Sequence, residues 1–226
     1  MLLRIPQVLT PDELATVRAR LAFEKWGDGR ATAGHQSVKA KENLQLPEDS
    51  PVARDLNELI VRALERSPLF ISAALPRHVY PPLFNRYEPG MRFDTHIDNA
   101  IRQVPGTPAR VRTDLSATLF LSAPEDYDGG ELLVEDTFGA HSAKFPAGDL
   151  VLYPATSLHR VSPVTRGSRV AAFFWIQSMV KDDAERTMLF SLDRSVVELS
   201  RATPEHPALV RLTGLYHNLV RKWGEV

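Results

Sequence analysis

The stretch "GDLVLYPATSLHRVSPVTRGSRVAAFFW", residues 148–175, contains a series of β-like runs. It holds three apolar runs rich in Val, Leu, Tyr and Phe, and Pro, Gly and Ser separate them, as is typical of short β-strands joined by turns. Similar runs precede it: "HVYPPLFNRY" (78–87), "SATLFLS" (116–122) and "GELLVE" (130–135). The pairs Gly129-Gly130 and Gly148-Asp149 mark hairpin or turn positions. Many short strands in series predict an antiparallel sandwich or barrel.

Helical patterns lie on both sides of this β region. Thr10-Pro11, with Glu13 three residues after Thr10, predicts a capped helix, and Ser50-Pro51 predicts a second. After residue 178, acidic residues open a helical segment over 182–202, and Thr203-Pro204 opens a last helix. The prediction is an α+β protein with a mainly β core over 78–178, N-terminal helices in 1–77 and a C-terminal helical extension in 179–226.

The composition excludes several classes of function. The 226 residues are 43% hydrophobic and 24% charged, as in ordinary globular domains, and the net charge of -1 gives no basic field for nucleic acid. No run reaches the length of a membrane span, and the N-terminus lacks the apolar core of a signal peptide. We therefore expect a cytoplasmic protein without nucleic-acid or membrane partners.

The chain contains no cysteine, so a metal site must use His, Asp, Glu or backbone oxygen. In an extended segment His96 and Asp98 point to the same side, because residues i and i+2 share a face of a strand. His159 begins a later strand that a β sandwich can bring back beside them. Two histidines and one carboxylate leave three coordination positions open, which is the arrangement of non-heme Fe(II) oxygenases. Taken singly, His96 and Asp98 are better read as a solvated pair on a loop, and His159 as a core histidine.

Arg169 follows His159 by ten residues and starts the next strand, so on an antiparallel hairpin both side chains face the same interior. The guanidinium forms a rigid fork suited to a carboxylate. A dicarboxylate that chelates iron at one end needs such a partner at the other, which predicts 2-oxoglutarate. The alternative is that Arg169 is a surface charge.

Four further stretches surround these residues: "AGHQSVKAKENLQL" (33–46), "NRYEPGMRFDTHIDNA" (85–100), "LSATLFLS" (115–122) and "DYDGGELLVED" (126–136). Together with residues 147–175 they make the sequence resemble the Fe(II)/2-oxoglutarate dioxygenases of the prolyl/lysyl-hydroxylase type, and among these the bacterial PKHD-type hydroxylases. The resemblance covers nearly the whole chain. It implies a double-stranded β-helix, or jelly roll, with N-terminal helices packed on its major sheet.

The resemblance also implies roles for individual residues. His96, Asp98 and His159 carry over as iron ligands, and Arg169 as the partner of the 2-oxoglutarate C5 carboxylate. Tyr87 resembles a tyrosine that hydrogen-bonds the cosubstrate, although a core aromatic is an equal alternative. The implied reaction uses O₂ to hydroxylate an unactivated C–H bond and releases succinate and CO₂, with ascorbate as an optional further cofactor.

Two other function classes compete with this one. A noncatalytic jelly-roll sensor that binds iron and 2-oxoglutarate would carry the same residues. A metal-dependent hydrolase or isomerase could use the same His, Asp and His, but it would not need Arg169. The substrate stays open between a protein side chain and a siderophore-like small molecule.

Some residues lie outside this constellation. The basic segment 102–112 predicts either a mobile loop in which Arg110 or Arg112 meets an anionic group, or a solvated loop. The stripe Met188, Leu192, Val196 and Leu199 predicts intramolecular core or a homo-oligomer contact through the C-terminal helices. The remaining histidines are assigned to structure or surface: His35, His78, His141, His206 and His217.

Overall fold

The computed structural model describes residues 1–32, 40–137 and 139–226. The helices are α1 (Pro11–Ala22), α2 (Pro51–Glu65), α3 (Pro68–Ala74), α4 (Asp183–Ala202) and α5 (Ala208–Trp223). The strands are β1 (Leu3–Ile5), β2 (Gly27–Asp28), β3 (Lys41–Glu42), β4 (Leu44–Gln45), β5 (Pro76–Val79), β6 (Leu83–Tyr87), β7 (Arg92–His96), β8 (Ile101–Gln103), β9 (Arg110–Arg112), β10 (Leu115–Phe120), β11 (Tyr127–Gly129), β12 (Leu132–Asp136), β13 (Gly139–Ala143), β14 (Leu150–Pro154), β15 (His159–Val161), β16 (Val164–Gly167) and β17 (Arg169–Ser178).

Two antiparallel sheets form the core. The larger has the order β1-β14-β10-β17-β6-β4-β2, with β5 also paired to β17, and the smaller has the order β13-β12-β15-β7-β3. Two short ribbons, β8-β9 and β11-β16, complete the β structure of the described residues. The mainly β core flanked by N-terminal and C-terminal helices is therefore confirmed, and the two sheets form a jelly roll.

The larger sheet has two apolar faces because helices cover one and the smaller sheet covers the other. On the outer face Leu119, Leu152 and Phe174 join one buried cluster with Val17 of α1 and Ile60 of α2. The alternate residues of the same strands, such as Phe120, Val151 and Tyr153, point inward and pack with the smaller sheet. The inner face is where the site lies.

The local helix signals were largely correct. Thr10 and Glu13 form the predicted capping box of α1, and Ser50 caps α2. The last helix begins at Ala208 rather than at Thr203, because Pro207 occupies the N-cap and a residue that precedes proline disfavours helical geometry. In α4 the buried residues are Arg186 and Leu189, whereas Met188 is exposed.

Several elements were not predicted. The strands β2, β3 and β4 lie in the segment 25–49, which shows no hydrophobic period, because two-residue strands are too short to display one. Gly129 and Gly130 do have positive φ values but do not form a hairpin, since β11 pairs with β16 while β12 pairs with β13 and β15. Gly148 lies in the predicted turn before β14.

The C-terminal helices pack against the chain itself. Leu189 of α4 lies in a buried cluster with Leu75 and Val180, and the apolar stripe of α5, including Tyr216 and Trp223, covers that cluster. Across the described part of the chain, none of the helices has the length and apolar composition needed to cross a membrane.

Candidate metal centre

His96, Asp98 and His159 meet at one end of the smaller sheet. His96 is the last residue of β7, and it lies directly opposite His159, the first residue of β15, in their antiparallel pairing. The two imidazole centroids are 4.2 Å apart, and His159 Nε2 lies 3.7 Å from Asp98 Oδ2. One ligand atom from each of the three residues lies within 4.8 Å of the others. This spacing lets all three side chains bind one cation.

Neighbouring groups hold each of the three side chains in orientation. His96 Nδ1 donates to the Asp94 carbonyl at 2.9 Å and His159 Nδ1 donates to the Ser157 carbonyl at 3.1 Å. A carbonyl only accepts, so each Nδ1 carries the proton and each Nε2 has a lone pair for a metal. Ser116 Oγ donates to Asp98 Oδ2 at 2.6 Å, which fixes the carboxylate.

The electrostatic environment keeps His96 neutral. Burial, and next the neighbouring His159, lower the pKa of His96 to about 4. The ring also stacks on Phe93, with the two centroids 3.6 Å apart. A neutral imidazole is the form that binds a metal ion.

Arg169 is buried without a complete set of partners. Its side chain is 1% exposed, and its Nε and Nη1 have no hydrogen-bond partner among the described residues. The guanidinium carbon lies 5.4 Å from the Tyr87 ring centroid and 5.6 Å from that of Phe120. Because a buried cation without an anion is costly, this position suits a carboxylate brought by a ligand.

Tyr87 faces Arg169 across the pairing of β6 with β17. The side chain is buried, and burial raises the pKa of its hydroxyl. Tyr87 lines the same cavity as the three metal-binding candidates and Arg169, and it also belongs to the core between the sheets. The structure therefore brings all five predicted site residues together.

Other residues of this cavity were not predicted. Asn85 and Trp175 lie at even spacing from Tyr87 and Arg169 on the inner face of the larger sheet, and Ser116 and Tyr153 pair beside Trp175 on the same face. The alternation of strands could have found them. Lys41 also lines the cavity, but it comes from β3, in the segment without a period.

The segment 102–112 forms most of the β8-β9 hairpin. Arg112 is the wrong candidate for an external anion, because it already binds Asp114 at 2.7 Å and Glu225 at 3.2 Å. Arg110 is exposed, and it is Arg102 that contacts the site, with its guanidinium carbon 4.1 Å from the Trp175 ring centroid.

The other predicted surface histidines behave as expected where they are described. His78, His206 and His217 are exposed, and His141 is an exposed residue of β13 with Nε2 2.7 Å from Asp136 Oδ2. His35 lies outside the described residues.

Comparison with known proteins identifies the family. Residues 82–177 match the model of the 2OG-Fe(II) oxygenase superfamily, and residues 183–225 match the PKHD-type hydroxylase C-terminal domain. The PKHD-type hydroxylase PSPA7_5129 of Pseudomonas paraeruginosa is 60% identical over 226 residues, and the PKHD-type hydroxylase PiuC of Pseudomonas aeruginosa is 59% identical over 226 residues. Each alignment covers 100% of both chains.

Solved structures of the same fold are more distant. A Pseudomonas putida prolyl-4-hydroxylase superposes with a TM-score of 0.51 at 20% identity, covering 78% of this chain and 92% of its own. The carbocyclase SnoK from nogalamycin biosynthesis superposes with a TM-score of 0.56 at 18% identity, covering 79% and 80%. These likenesses support the jelly roll, and the full-length identity to curated relatives goes further: the chain belongs to the PKHD-type hydroxylases, within the superfamily of Fe(II)- and 2-oxoglutarate-dependent oxygenases.

Proposed function

We propose that His96, Asp98 and His159 bind the Fe(II) on which this family depends, and that Arg169 binds the C5 carboxylate of 2-oxoglutarate. The observation that carries the proposal is the buried guanidinium of Arg169, which faces the same cavity as the His-Asp-His cluster and has two nitrogen atoms without partners among the described residues. A hydrolytic metal site has no use for such a cation.

The donor set fits this metal. Two imidazoles and one carboxylate are the donors of the 2-His-1-carboxylate site, and they would leave coordination positions of the iron free for the cosubstrate and O₂. When bound, iron and 2-oxoglutarate supply the oxidation: O₂ is consumed, succinate and CO₂ are released, and a C–H bond of the substrate becomes an alcohol. Because a carboxylate stands at position 98, the chain does not have the small residue that would leave room for a halide.

The protein's own groups bind, orient and exclude water. The Asp94 and Ser157 carbonyls keep the histidine rings in one tautomer, and Ser116 keeps the Asp98 carboxylate in place. Tyr87 is proposed to donate a hydrogen bond to the cosubstrate beside Arg169. Ascorbate remains a prediction, and the catalytic alternative is favoured over a sensor because the curated relatives are named hydroxylases.

The experiment follows binding and turnover separately. Wild-type protein is loaded anaerobically with Fe(II) and 2-oxoglutarate, the visible absorption of their chelate is recorded, and succinate is measured after O₂ is admitted. We expect His96→Ala to lose the chelate absorption, and Arg169→Gln to require at least about 30-fold more 2-oxoglutarate, because it loses a charge-assisted hydrogen bond.

The exposed residues His78 and Arg110 provide matched controls. His78→Ala and Arg110→Gln remove the same side-chain types from exposed positions outside the proposed site, and we expect both variants to keep the absorption and the succinate yield. Chelate absorption that survives in His96→Ala would contradict the ligand assignment. Unchanged affinity for 2-oxoglutarate in Arg169→Gln would contradict the anchor.

We also propose that the substrate is a protein side chain or a small molecule, since both occur among proteins with this fold. One solved structure is a prolyl hydroxylase in complex with a hypoxia inducible factor peptide fragment from Trichoplax adhaerens, and another is HygX with hygromycin B bound. At 13% and 15% identity they show the fold alone.

The division of the chain, its location and its assembly are further proposals. Residues 1–77 support the oxygenase core of 78–178, and 179–226 form the extension. The cytoplasm supplies both Fe(II) and 2-oxoglutarate, which supports a cytoplasmic location that cell fractionation can test. A homo-oligomer through the C-terminal helices is supported by the exposed Met188 and Leu215, and light scattering measures it.

A further inference from the structure

The cavity has a second end, far from Arg169. Along the inner face of β17, Phe173 and Trp175 follow Arg169 by four and six residues, so Trp175 lies roughly 20 Å along the strand from the proposed anchor. Both aromatic residues line the same cavity as the metal cluster. Trp175 contacts Phe173 and Tyr80 edge to face, with ring centroids 5.7 and 5.5 Å apart. These rings make a rigid apolar wall.

Lys41 brings a positive charge to this wall. It lies opposite Phe93 in the pairing of β3 with β7, and its side chain is buried. Its Nζ lies 5.6 Å from the Phe173 ring centroid and 5.8 Å from that of Phe93, and it donates to Gln45 Oε1 at 2.9 Å. The charge therefore lies between the two sheets, beside the ring that stacks on His96.

Arg102 brings a second positive charge from the β8-β9 hairpin. Its guanidinium carbon lies 4.1 Å from the Trp175 ring centroid and 5.2 Å from that of Tyr80. Its Nε is buried and has no hydrogen-bond partner among the described residues. A stacked arginine alone could serve to hold the hairpin, but that role does not account for a buried Nε donor that is left without a partner.

The two cations repel each other, and this repulsion favours the neutral form of Lys41. Burial, and next the charge of Arg102, lower the pKa of Lys41 to about 8. Lys41 lines the cavity and Arg102 lies against Trp175 of its wall, so an anion bound beside both would offset the repulsion between them. Two positive charges beside an aromatic wall suit an anionic ligand better than they suit a purely structural contact.

We propose that Lys41 and Arg102 bind a carboxylate of the primary substrate, whose flat or apolar body lies against Trp175 and Phe173. This subsite is separate from Arg169, and it selects acidic substrates over neutral ones of the same shape. The inference rests on the proposed function, because it assigns the second end of the cavity to the molecule that is hydroxylated.

The test uses two probes of nearly the same shape, the anion 3-phenylpropanoate and the neutral 3-phenylpropanamide. Each is titrated calorimetrically, without O₂, into protein loaded with Fe(II) and saturating 2-oxoglutarate. We expect the wild type to bind the acid at least about tenfold more tightly than the amide, as a charge-assisted hydrogen bond implies. Lys41→Met and Arg102→Gln should lose this preference. Arg102→Lys should still bind the acid more tightly than the amide.

Arg110→Gln is the matched control, since Arg110 is exposed on the same hairpin and should leave the preference unchanged. Equal binding of acid and amide by the wild type would overturn the subsite, and so would a preference that survives in both charge-removing variants. Loss of the chelate absorption on addition of the acid would also overturn it, because the acid would then compete at Arg169. Absence of that absorption from the outset would instead contradict the proposed function, and with it the assignment to a substrate.

Discussion

At the scale of single residues, Ser116 controls how the Asp98 carboxylate is presented. Its hydroxyl donates a hydrogen bond of 2.6 Å to Oδ2. We expect Ser116→Ala to weaken Fe(II) binding about 10- to 100-fold, because such supporting hydrogen bonds orient metal ligands. Anaerobic metal titration measures the change. Ser195→Ala, which removes a hydroxyl that bonds only within α4, is the control, and equal affinities of the two variants would contradict the orienting role.

Lys41 predicts how stability depends on pH. Its pKa is about 8 in the folded protein against an ordinary value of 10.5. Below pH 8 the lysine is protonated in both states and the cost of burying the cation is fully present. Between these two values the unfolded chain binds more protons, so the free energy of unfolding rises with pH.

We therefore expect Lys41→Met to raise the free energy of unfolding at pH 7 by about 1–3 kcal/mol and to remove the rise between pH 8 and 10.5. Urea unfolding of the metal-free protein at both pH values measures this. The exposed Lys181 provides the control variant Lys181→Met. A variant that is less stable than wild type at pH 7 would show that the buried ammonium stabilises the fold.

The proposed ligands were accessible to sequence reasoning because each is a chemically distinctive residue at a set spacing. Asp98 follows His96 by two residues, just beyond the end of β7, and Arg169 follows His159 by ten. The predicted hairpin between His159 and Arg169 is wrong, because β15 lies in the smaller sheet and β17 in the larger. Lys41 and Arg102 were not accessible, because their positions depend on which strands pair across the molecule. A lysine in a two-residue strand looks like any solvated lysine until β3 is placed beside β7.

At the scale of elements, the β11-β16 ribbon depends on glycine. Gly167 has φ +73°, and a Cβ there would lie 2.0 Å from the Asp126 carbonyl oxygen. Gly106 in the β8-β9 hairpin has the same φ, but a Cβ there would meet nothing within 4 Å. The two positions therefore separate backbone strain from steric clash.

We expect Gly106→Ala to lower the free energy of unfolding by about 1 kcal/mol, the cost of a left-handed residue, and Gly167→Ala to lower it by about 3 kcal/mol or more. Thermal or urea unfolding of both variants provides the comparison. If the two variants lost equal stability, the close approach of Gly167 to Asp126 would be ruled out as the dominant effect.

The elements differ in how far their own sequence determines them. The helices α1 and α2 begin where their capping residues predict, since caps act within four residues. The short strands β2, β3 and β4 form because the edges of two sheets are available to them, which no local pattern encodes. The β8-β9 hairpin lies between these cases. Its two strands are close in sequence, whereas Trp175, which it contacts through Arg102, is distant in sequence.

At the scale of the whole molecule, ligands bind between elements from most of the chain, so they should stabilise the entire fold. With an O₂-inert metal such as Mn(II) already bound, 2-oxoglutarate at about 100 times its Kd adds about 2.7 kcal/mol to the free energy of unfolding. For a chain of this size we expect the Tm to rise by about 5–10 °C. Thermal unfolding with each ligand alone and with both measures the two increments.

In Arg169→Gln we expect the metal to raise the Tm as much as in the wild type, and 2-oxoglutarate to add little further rise. A chelator should reverse both effects. If 2-oxoglutarate raised the Tm of wild type and variant equally, its binding would not depend on the buried guanidinium.

The direct opposition of His96 and His159 across β7 and β15 has a consequence for how the chain finds its fold. A slip of one residue in that pairing would turn one imidazole to the far side of the sheet. Only the native alignment presents both rings to one cation. A metal ion bound during folding would therefore stabilise the native register of β7 and β15 over registers shifted by one residue. The same ion would then assist folding as well as catalysis.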